Sequence, residues 1–419
     1  MYKIVIQGGR PLRGKVKISG SKNAALPILA ATLLTEGKTE ILNCPKLADI
    51  QTMGILLKDL GLKVQSWNGK IKIHANGYRN HTATYDLVKT MRASVLVLGP
   101  LVARKGKAKV SLPGGCAIGS RPIDQHLKGL EAMGAKIKVE HGYVEAEAKR
   151  LQGARIHFDD INVTGTENLM MAATLAEGTT VLENSAQEPE VVDLANMLKS
   201  LGAKIQGAGT STITIEGVEK LPGGSYRVMP DRIEAGTFLI AGCLPGSQIL
   251  IQGTPAEFLD ALIVKVEEAG AKVELRADGI LVTAPKRVKP VDISTAPYPG
   301  FATDLQAQFM ALMTIADGNS VIRENIFENR FMHVGELNRM GAEIKLEGKS
   351  AVVRGVKVLS AAPIMATDLR ASASLVIAGL AAEGITEILR VYHIDRGYEK
   401  IEKKFRKLGA RVKRIKVKY

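Results

Sequence analysis

Residues 130–137 read LEAMGAKI, and this short stretch decides the fold because the same pattern returns along the whole chain. The pattern apolar-x-x-apolar-Gly-Ala-Lys-apolar has its glycine at positions 61, 134, 202, 270, 341 and 409. A left-handed glycine after the last helical turn is a common helix end, so each copy predicts a helix followed at once by a strand. Chance recurrence in a Gly-rich α/β protein is the alternative, but the near-constant spacing argues against it.

A second pattern precedes these helix ends. It is a helix rich in small residues, a glycine turn and a strand, as in residues 169–183 (LMMAATLAEGTTVLE) and 374–389 (SLVIAGLAAEGITEIL). Because such helices are apolar all round, we predict that they are buried on every side. Six units of about 70 residues, each strand, buried helix, strand, amphipathic helix and strand, are too short to be domains. They predict two similar α/β domains of three units each, with a break near residues 226–231.

Composition limits the class of protein. The 419 residues exceed one ordinary domain, and the 46% apolar content excludes intrinsic disorder. The formal charge of +15 fits an anionic partner, which is a nucleic acid, a membrane surface or a phosphorylated small molecule. An aromatic content of only 4% is low for a protein that stacks nucleobases.

Cysteine use and the chain start predict the compartment. Cys44, Cys116 and Cys243 are odd in number and widely separated, which excludes a disulfide framework and a zinc ribbon. The first residues read as a strand and turn rather than a signal peptide, and the longest apolar stretches fall short of the ~20 residues that cross a bilayer. We therefore expect a cytoplasmic protein without a membrane anchor.

Polar residues cluster just before the buried helices, and several of them are cationic. Helix N-termini favour anions, and adding lysine or arginine there makes a plausible phosphate and carboxylate site. Ordinary capping explains any one of these positions better, but the cationic positions taken together predict an anion-binding site. The residues are Lys22, Asn23, Arg92, Glu167, Asn168, Asp231, Arg232, Glu234, Asp304 and Arg370.

Common cofactor motifs are missing from the chain. It has no Walker loop and no G-x-G-x-x-G after a strand, and its histidines show no metal-ligand spacing, so no metal is expected. Cys116 lies in the Gly-rich stretch SLPGGCAIGSRPID near Arg121, where a thiol could be exposed and acidified. From spacing alone a reactive and a structural Cys116 are equally supported, whereas Cys44 and Cys243 fit a structural role.

Several longer motifs resemble the enolpyruvyl transferases that act on UDP-N-acetylglucosamine. They are residues 20–34 (GSKNAALPILAATLL), 110–124 (VSLPGGCAIGSRPID), 186–193, 303–308, 327–337, 365–379 and 392–402. The resemblance implies an α/β fold of two inside-out α/β barrel domains, each made of three βαβαββ units with buried helices. It also implies a discontinuous domain of residues 1–20 plus 230–419, carrying the catalytic aspartate and several arginines, and a domain of residues 21–229 carrying the cysteine loop and part of the sugar-nucleotide site.

The resemblance also assigns roles to individual residues. Cys116 matches the general acid and Asp304 the carboxylate at the sugar 3-hydroxyl. The family residues that hold the phosphate of phosphoenolpyruvate match Lys22, Arg121 and Arg396, with Asn23 nearby. Further cationic positions of the site match Arg330 and Arg370. The family residues that bind the sugar nucleotide match Arg92, Arg121, Pro122, Ile123, Asp124, Gln125, Asp160, Ile161, Asn162, Val163 and Ile326.

The activity implied is transfer of the enolpyruvyl group of phosphoenolpyruvate to UDP-N-acetylglucosamine with release of phosphate. This reaction opens peptidoglycan synthesis, needs no cofactor, and is blocked by fosfomycin, which alkylates the loop cysteine. We expect these two substrates as partners of a monomer, with no nucleic acid and no membrane. Two alternatives stay open: the related enolpyruvyl transfer to 3-phosphoshikimate, and a basic nucleic-acid-binding protein that only the charge favours.

Overall fold

Each of the six glycines predicted to end a helix has a positive φ, between 84° and 101°. In the second copy the helix covers Asp124–Ala132, Gly134 has a φ of 88°, and a strand begins at Lys136. A left-handed residue is easiest for glycine because it has no Cβ. The six predicted helix ends are therefore confirmed.

The structure, a computed structural model, describes residues 2–89, 91–112 and 123–417. Short 3₁₀ turns precede some helices, notably Arg92–Val97, Thr303–Leu305 and Ile394–Arg396. The α-helices in the described residues are α1 (Lys22–Ala31), α2 (Ala48–Asp59), α3 (Tyr85–Val88), α4 (Leu98–Lys105), α5 (Asp124–Ala132), α6 (Val163–Ala173), α7 (Pro189–Ser200), α8 (Arg232–Ala241), α9 (Asp260–Glu268), α10 (Gln306–Met313), α11 (Val334–Arg339), α12 (Ala371–Ala381) and α13 (Ile401–Lys407).

The strands of the same residues are short and mostly five residues long. They are β1 (Tyr2–Gln7), β2 (Arg13–Lys17), β3 (Thr35–Glu36), β4 (Lys38–Leu42), β5 (Lys63–Trp67), β6 (Lys70–His74), β7 (Thr82–Ala83), β8 (Lys107–Ser111), β9 (Lys136–Glu140), β10 (Tyr143–Glu147), β11 (Arg155–His157), β12 (Thr179–Glu183), β13 (Lys204–Gln206), β14 (Thr212–Glu216), β15 (Leu221–Pro222), β16 (Ser225–Arg227), β17 (Gln248–Gln252), β18 (Lys272–Arg276), β19 (Gly279–Thr283), β20 (Ile293–Ser294), β21 (Asn319–Arg323), β22 (Glu343–Glu347), β23 (Ser350–Arg354), β24 (Pro363–Met365), β25 (Ile385–Leu389) and β26 (Arg411–Lys416).

Apart from β3 and β15, which pair in a two-stranded sheet, the described strands form six four-stranded sheets of one design. In the sheet β11-β12-β14-β13 the first pair is parallel and the other two pairs are antiparallel. The same order recurs in β16-β4-β6-β5, β7-β8-β10-β9, β2-β17-β19-β18, β20-β21-β23-β22 and β24-β25-β1-β26. A parallel strand, a buried helix, a strand, an amphipathic helix and a hairpin make each repeat, which confirms six internal βαβαββ units. The described strands stay in separate sheets and do not join into one closed β-barrel.

The small-residue helices are buried, as the sequence predicts. Every residue of α8 and α10 is buried, and so is every residue of α1 except Asn23. Close packing needs the small residues: a Cβ on Gly236 of α8 would lie 2.7 Å from Cδ1 of Leu305. In the described residues no helix is both long and apolar enough to cross a bilayer.

The chain divides into two compact units. We call residues 2–19 with 230–417 the split unit, and residues 20–89, 91–112 and 123–229 the inserted unit. The split unit is discontinuous because strand β1 pairs antiparallel with both β25 and β26 and so completes the last sheet. Its buried helices are α8, α10 and α12, and those of the inserted unit are α1, α4 and α6.

Candidate active site

Asp304 is held by two arginines at a helix start of the split unit. It lies in the 3₁₀ turn just before α10, and 24% of its side chain is exposed. Nη2 of Arg330 donates to Oδ1 at 2.6 Å, and Nε of Arg370 donates to Oδ2 at 3.3 Å. Both oxygens therefore contact a guanidinium, which fixes the direction in which the carboxylate points.

Arg370 precedes α12 and is almost completely buried, with 1% of the residue exposed. Its Nη2 donates to Oδ2 of Asp231 at 3.4 Å, and its Nη1 donates to the carbonyl of Gly397 at 3.2 Å. Burial alone would lower the pKa of Arg370, but the nearby charge of Asp231 and the groups of Tyr398 and Asp304 raise its pKa overall. A buried cation thus joins the starts of all three buried helices of this unit.

Asp231 is the N-cap of α8. Its Oδ1 accepts hydrogen bonds from the backbone N–H groups of Ile233 and Glu234, at 2.9 and 3.0 Å, while its other oxygen faces Arg370. The sequence marks Asp231 as a polar residue at a helix start, but its ion pair with a residue far along the chain was not predicted.

Arg330 and Ile326 lie in the segment between β21 and α11. Nη1 of Arg330 donates to Oγ1 of Thr303 at 2.9 Å, so this guanidinium holds two consecutive residues of the turn before α10. The buried carboxylate of Glu324 accepts from the hydroxyl of Thr303 and the backbone N–H of Ile326, both at 2.9 Å. Ile326 is half-buried.

Arg396 ends the 3₁₀ turn Ile394–Arg396 and is half-buried. The next residue, Gly397, packs so closely that a Cβ on it would lie 2.9 Å from Cδ1 of Leu369. Since the carbonyl of Gly397 accepts from Arg370, the backbone beside Arg396 is tied to the start of α12.

In the inserted unit, Lys22 is the first residue of α1 and is 8% exposed. The helix is capped by Ser21, whose Oγ accepts from the backbone N–H of Ala24 at 3.3 Å. Nζ of Lys22 lies 3.7 Å from Oδ2 of Asp49 in the first turn of α2, and Asn23 follows in a half-buried position. A nearly buried ammonium at a helix N-terminus suits a phosphate group.

Arg92 is half-buried and begins the 3₁₀ turn that leads into α4. It acts electrostatically on His126 of α5, whose pKa falls to about 4 chiefly through burial and also through Arg92, while Asp124 opposes the shift. Arg92 and the first turn of α5 therefore share one neighbourhood.

His126 links α5 to α6 and was not predicted from the sequence. The backbone N–H of Gly99 donates to Oδ1 of Asn168 at 2.8 Å, so the NH₂ group of Asn168 must face the imidazole. Nδ1 of His126 therefore accepts a hydrogen bond from Asn168 at 3.0 Å. Nε2 of the neutral ring then carries the proton and donates to Oγ1 of Thr164 at 3.3 Å. The available signal was the spacing of this polar residue. His126 lies three residues before Gly129 and four before Leu130, which places it on the buried face of the helix.

The predicted nucleotide residues fall at the starts of α5 and α6. Ile123 and Gln125 are half-buried and Asp124 is exposed. At α6, Asp160 and Ile161 are exposed, Val163 is half-buried, and Asn162 caps the helix by accepting from the N–H of Gly165 at 2.8 Å.

A cavity of about 200 Å³ opens between α5 and the segment after β11. Gln125, Phe158 and Asp159 are among its lining residues, and the ion pair of Lys128 with Asp159, 2.8 Å long, borders it. Oε1 of Gln125 is buried and has no hydrogen-bond partner in the part of the chain that the structure describes, so an acceptor is available beside this cavity.

Three of the predicted site residues, Cys116, Arg121 and Pro122, lie outside the described residues. The other two cysteines are buried, and burial raises the pKa of the Cys44 and Cys243 thiols to about 12. Both fit the structural role expected of them. Among the described residues no group of three or more His, Cys, Asp or Glu side chains could hold a metal ion.

A buried carboxyl group in α6 was predicted as a polar helix start but was given no further role. Burial raises the pKa of Glu167 well above its usual range, and Glu190 and Glu188 at the start of α7 add to this rise.

Comparison with known proteins finds relatives over nearly the whole chain. The family model for EPSP synthase (3-phosphoshikimate 1-carboxyvinyltransferase) matches residues 6–405. The UDP-N-acetylglucosamine 1-carboxyvinyltransferase of Trichlorobacter lovleyi is 60% identical over 416 residues, which cover 99% of both chains. The protein of the same name from Thermodesulfovibrio yellowstonii is 59% identical over 99% of this chain and 100% of that one.

Solved structures share the fold. The enolpyruvyl transferase NikO from Streptomyces tendae superposes with a TM-score of 0.86 at 26% identity, covering 99% of this chain and 98% of its own. EPSP synthase from Acinetobacter baumannii gives a TM-score of 0.76 at 18% identity, covering 99% and 100%, and this likeness concerns the fold alone. The predicted fold and the resemblance drawn from the motifs are both confirmed.

Proposed function

The chain belongs to the EPSP synthase family of 1-carboxyvinyltransferases, and we propose that it transfers the enolpyruvyl group of phosphoenolpyruvate to the 3-hydroxyl of UDP-N-acetylglucosamine. The observation that carries the proposal is 60% identity over 99% of the chain to a relative named for this reaction. The reaction is the first committed step of peptidoglycan synthesis, so the enzyme serves cell-wall formation, cell shape and division.

The chemistry is an addition followed by an elimination. The acceptor oxygen bonds to C2 of phosphoenolpyruvate, its proton leaves to a base, and C3 gains a proton from an acid. C3 then loses a proton, the bond from C2 to the phosphate oxygen breaks, and the double bond forms again with release of inorganic phosphate. Each step needs a positioned proton donor or acceptor.

Asp304 is the base and orienting group for the acceptor hydroxyl in this proposal. The arginines on both of its oxygens support that role, because they hold the carboxylate in one orientation before the substrate arrives. Cys116 is the acid that protonates C3.

Lys22, Arg121 and Arg396 hold the phosphate of phosphoenolpyruvate, and Asn23 lies beside Lys22. The dipole of α1 supports the position of Lys22, since unpaired backbone N–H groups at a helix start attract an anion. Fixed cations stabilise the charge that moves between carboxylate and phosphate during the reaction. Arg330 and Arg370 add positive charge near Asp304.

The sugar nucleotide binds residues of the inserted unit and Ile326. We assign it to Arg92, to residues 121–125 and to residues 160–163. The cavity beside Gln125 supports this assignment, since it lies between α5 and residues 155–159, directly before the second stretch, and Oε1 of Gln125 has no hydrogen-bond partner among the described residues.

We also propose that the enzyme acts as a cytoplasmic monomer without a nucleic-acid partner. Phosphoenolpyruvate is a metabolite of the cytoplasm, and the buried free thiols of Cys44 and Cys243 suit a reducing compartment. The two domains of the proposal are residues 21–229 and residues 1–20 with 230–419.

Enolpyruvyl transfer to 3-phosphoshikimate is the second candidate, because the matching family model carries that name. An assay of phosphate release from phosphoenolpyruvate with each acceptor decides between the two, and mass spectrometry of the product identifies the acceptor that gained the enolpyruvyl group. We expect turnover with UDP-N-acetylglucosamine alone. Turnover only with 3-phosphoshikimate, or with neither acceptor, would refute the proposal.

A further inference from the structure

Tyr398 contacts two buried helices of the split unit, α8 and α10, and the residue that precedes the third, α12. It is 1% exposed and lies two residues after Arg396. Its hydroxyl is 2.9 Å from Oγ1 of Thr237 in α8 and 3.1 Å from Nε2 of Gln308 in α10. The guanidinium of Arg370, next to α12, lies over its ring at 5.3 Å from the centroid.

The direction of these hydrogen bonds follows from their partners. The hydroxyl of Thr237 donates to the carbonyl of Ile233 at 2.8 Å, so it must accept from the hydroxyl of Tyr398. The Tyr398 oxygen in turn accepts from an N–H of the Gln308 amide, which it shares with Oγ1 of Thr237 at 3.2 Å. Burial, partly offset by Arg370, raises the pKa of Tyr398 to about 12, so the phenol keeps its proton at neutral pH.

The Gln308 side chain also contacts the backbone of Asp304, the proposed base. Nε2 of Gln308 also donates to the backbone carbonyl of Asp304 at 2.9 Å. This carbonyl can only accept, which fixes the orientation of the Gln308 amide. A continuous chain of hydrogen bonds therefore runs from α8 through Tyr398 and Gln308 to the turn that carries Asp304.

The ring of Tyr398 also influences Asp304, through its contact with Arg370. A cation over an aromatic face is attracted to it, so the ring supports the buried guanidinium that contacts Oδ2 of Asp304. Arg370 also binds the carbonyl of Gly397, the residue between Arg396 and Tyr398. Backbone and side chain of Asp304 thus both depend on groups that Tyr398 orders.

We propose that Tyr398 is a positioning residue for enolpyruvyl transfer, whose hydroxyl fixes the Asp304 backbone through Gln308 and whose ring fixes Arg370. This inference rests on the proposed function. Tyr398 touches no reacting atom, and its contribution is the alignment of Asp304 with the acceptor hydroxyl.

Tyr398→Phe tests the hydroxyl while keeping the ring under Arg370. We expect kcat to fall roughly tenfold or more with the KM for phosphoenolpyruvate nearly unchanged, because a small displacement of a reacting group is costly. Gln308→Leu removes this link and also the direct contact of Nε2 with Oγ1 of Thr237, so its loss should be at least as large. The double variant should be no worse than the more impaired single variant, since both changes remove one chain of hydrogen bonds.

Tyr78→Phe is the matched control. Its hydroxyl also donates to a buried carbonyl, that of Leu33, at 2.5 Å, but Tyr78 belongs to the inserted unit and is not part of the hydrogen-bond chain to Asp304. We expect this variant to keep the kcat of the wild type. Should Tyr398→Phe fail to fold in a thermal unfolding assay, Gln308→Leu alone decides.

Failure of the inference differs from failure of the proposed function. If the wild type releases phosphate with UDP-N-acetylglucosamine but Tyr398→Phe and Gln308→Leu keep its kcat, the positioning role is refuted. The same holds if their losses add in the double variant, or if Tyr78→Phe loses as much. If the wild type itself shows no turnover, the proposed function falls first.

Discussion

Arg330 donates from Nη2 to Oδ1 of Asp304 at 2.6 Å, and its Nη1 donates to Oγ1 of Thr303, the residue before. The fork of one guanidinium therefore holds two consecutive residues. A lysine ammonium is a single point charge and cannot reproduce this planar pair of contacts. Arg330 is 5% exposed, so water cannot readily replace the lost bond.

The first prediction follows for Arg330→Lys. We expect kcat to fall roughly tenfold to a hundredfold because Asp304 loses its fixed orientation. Steady-state kinetics with UDP-N-acetylglucosamine as acceptor measure the effect. Arg354→Lys is the control, since its ion pair with Glu343 in the same unit is largely exposed and should contribute little. Wild-type kcat in Arg330→Lys would contradict the role assigned to this contact.

The second prediction concerns Asp304→Ala. Binding of the sugar nucleotide should remain measurable by calorimetry while kcat falls sharply, because orientation and deprotonation of the hydroxyl are both lost. A change confined to KM, with kcat intact, would assign Asp304 to binding alone.

Asp231 gives a third prediction, on stability. Its carboxylate caps α8 and pairs with Arg370, and both side chains are almost completely buried. Asp231→Ala should lower the free energy of unfolding by about 3 to 5 kcal/mol, since it leaves a buried guanidinium without this counter-charge. Asp231→Asn keeps the cap but not the charge. If urea denaturation shows Asp231→Asn to be as stable as the wild type, capping rather than the ion pair accounts for the loss.

The repeats and the helix-start residues could be predicted from the sequence, because glycine spacing and apolar runs are local patterns. Asp304 and Arg370 were predicted as site residues for the same reason. Their joint contacts were not, since Asp231 and Arg370 are 139 residues apart in the chain. Tyr398 and Gln308 lie in two of the motifs that carry the resemblance, but no local pattern gave either a role, because only the packing of three helices brings them together.

Buried histidines give the fourth prediction, a loss of stability in acid. Burial lowers the pKa of His126 and of His333 to about 4, from 6.5 in an exposed histidine. At a pH between these two pKa values, each histidine is protonated in the unfolded chain but not in the folded chain. Stability is thus complete above pH 6.5 and declines as the pH falls toward 4, by up to about 1.4 kcal/mol per pH unit for each histidine.

His126→Gln separates this effect from the titration of carboxyl groups. Its amide can replace some hydrogen bonds to Asn168 and Thr164 but takes up no proton. Urea unfolding at pH 7 and pH 5 should show that acidification costs the variant less stability than it costs the wild type. Equal losses in both proteins would mean that His126 is not buried as a neutral ring.

The last prediction concerns Cys116, the proposed acid. Cys116→Ala should be severely impaired, because no acid remains at this position. Cys116→Asp should keep turnover but shift the active range to lower pH, since a carboxyl group titrates near ~3.9 and a thiol near ~8.5. Fosfomycin should alkylate the wild type at Cys116 and spare Cys116→Asp. Cys44 and Cys243 are internal controls, since burial raises the pKa of both thiols to about 12 and keeps the reactive thiolate scarce. Peptide mapping that finds the adduct on either of them, or full activity in Cys116→Ala, would remove Cys116 from the mechanism.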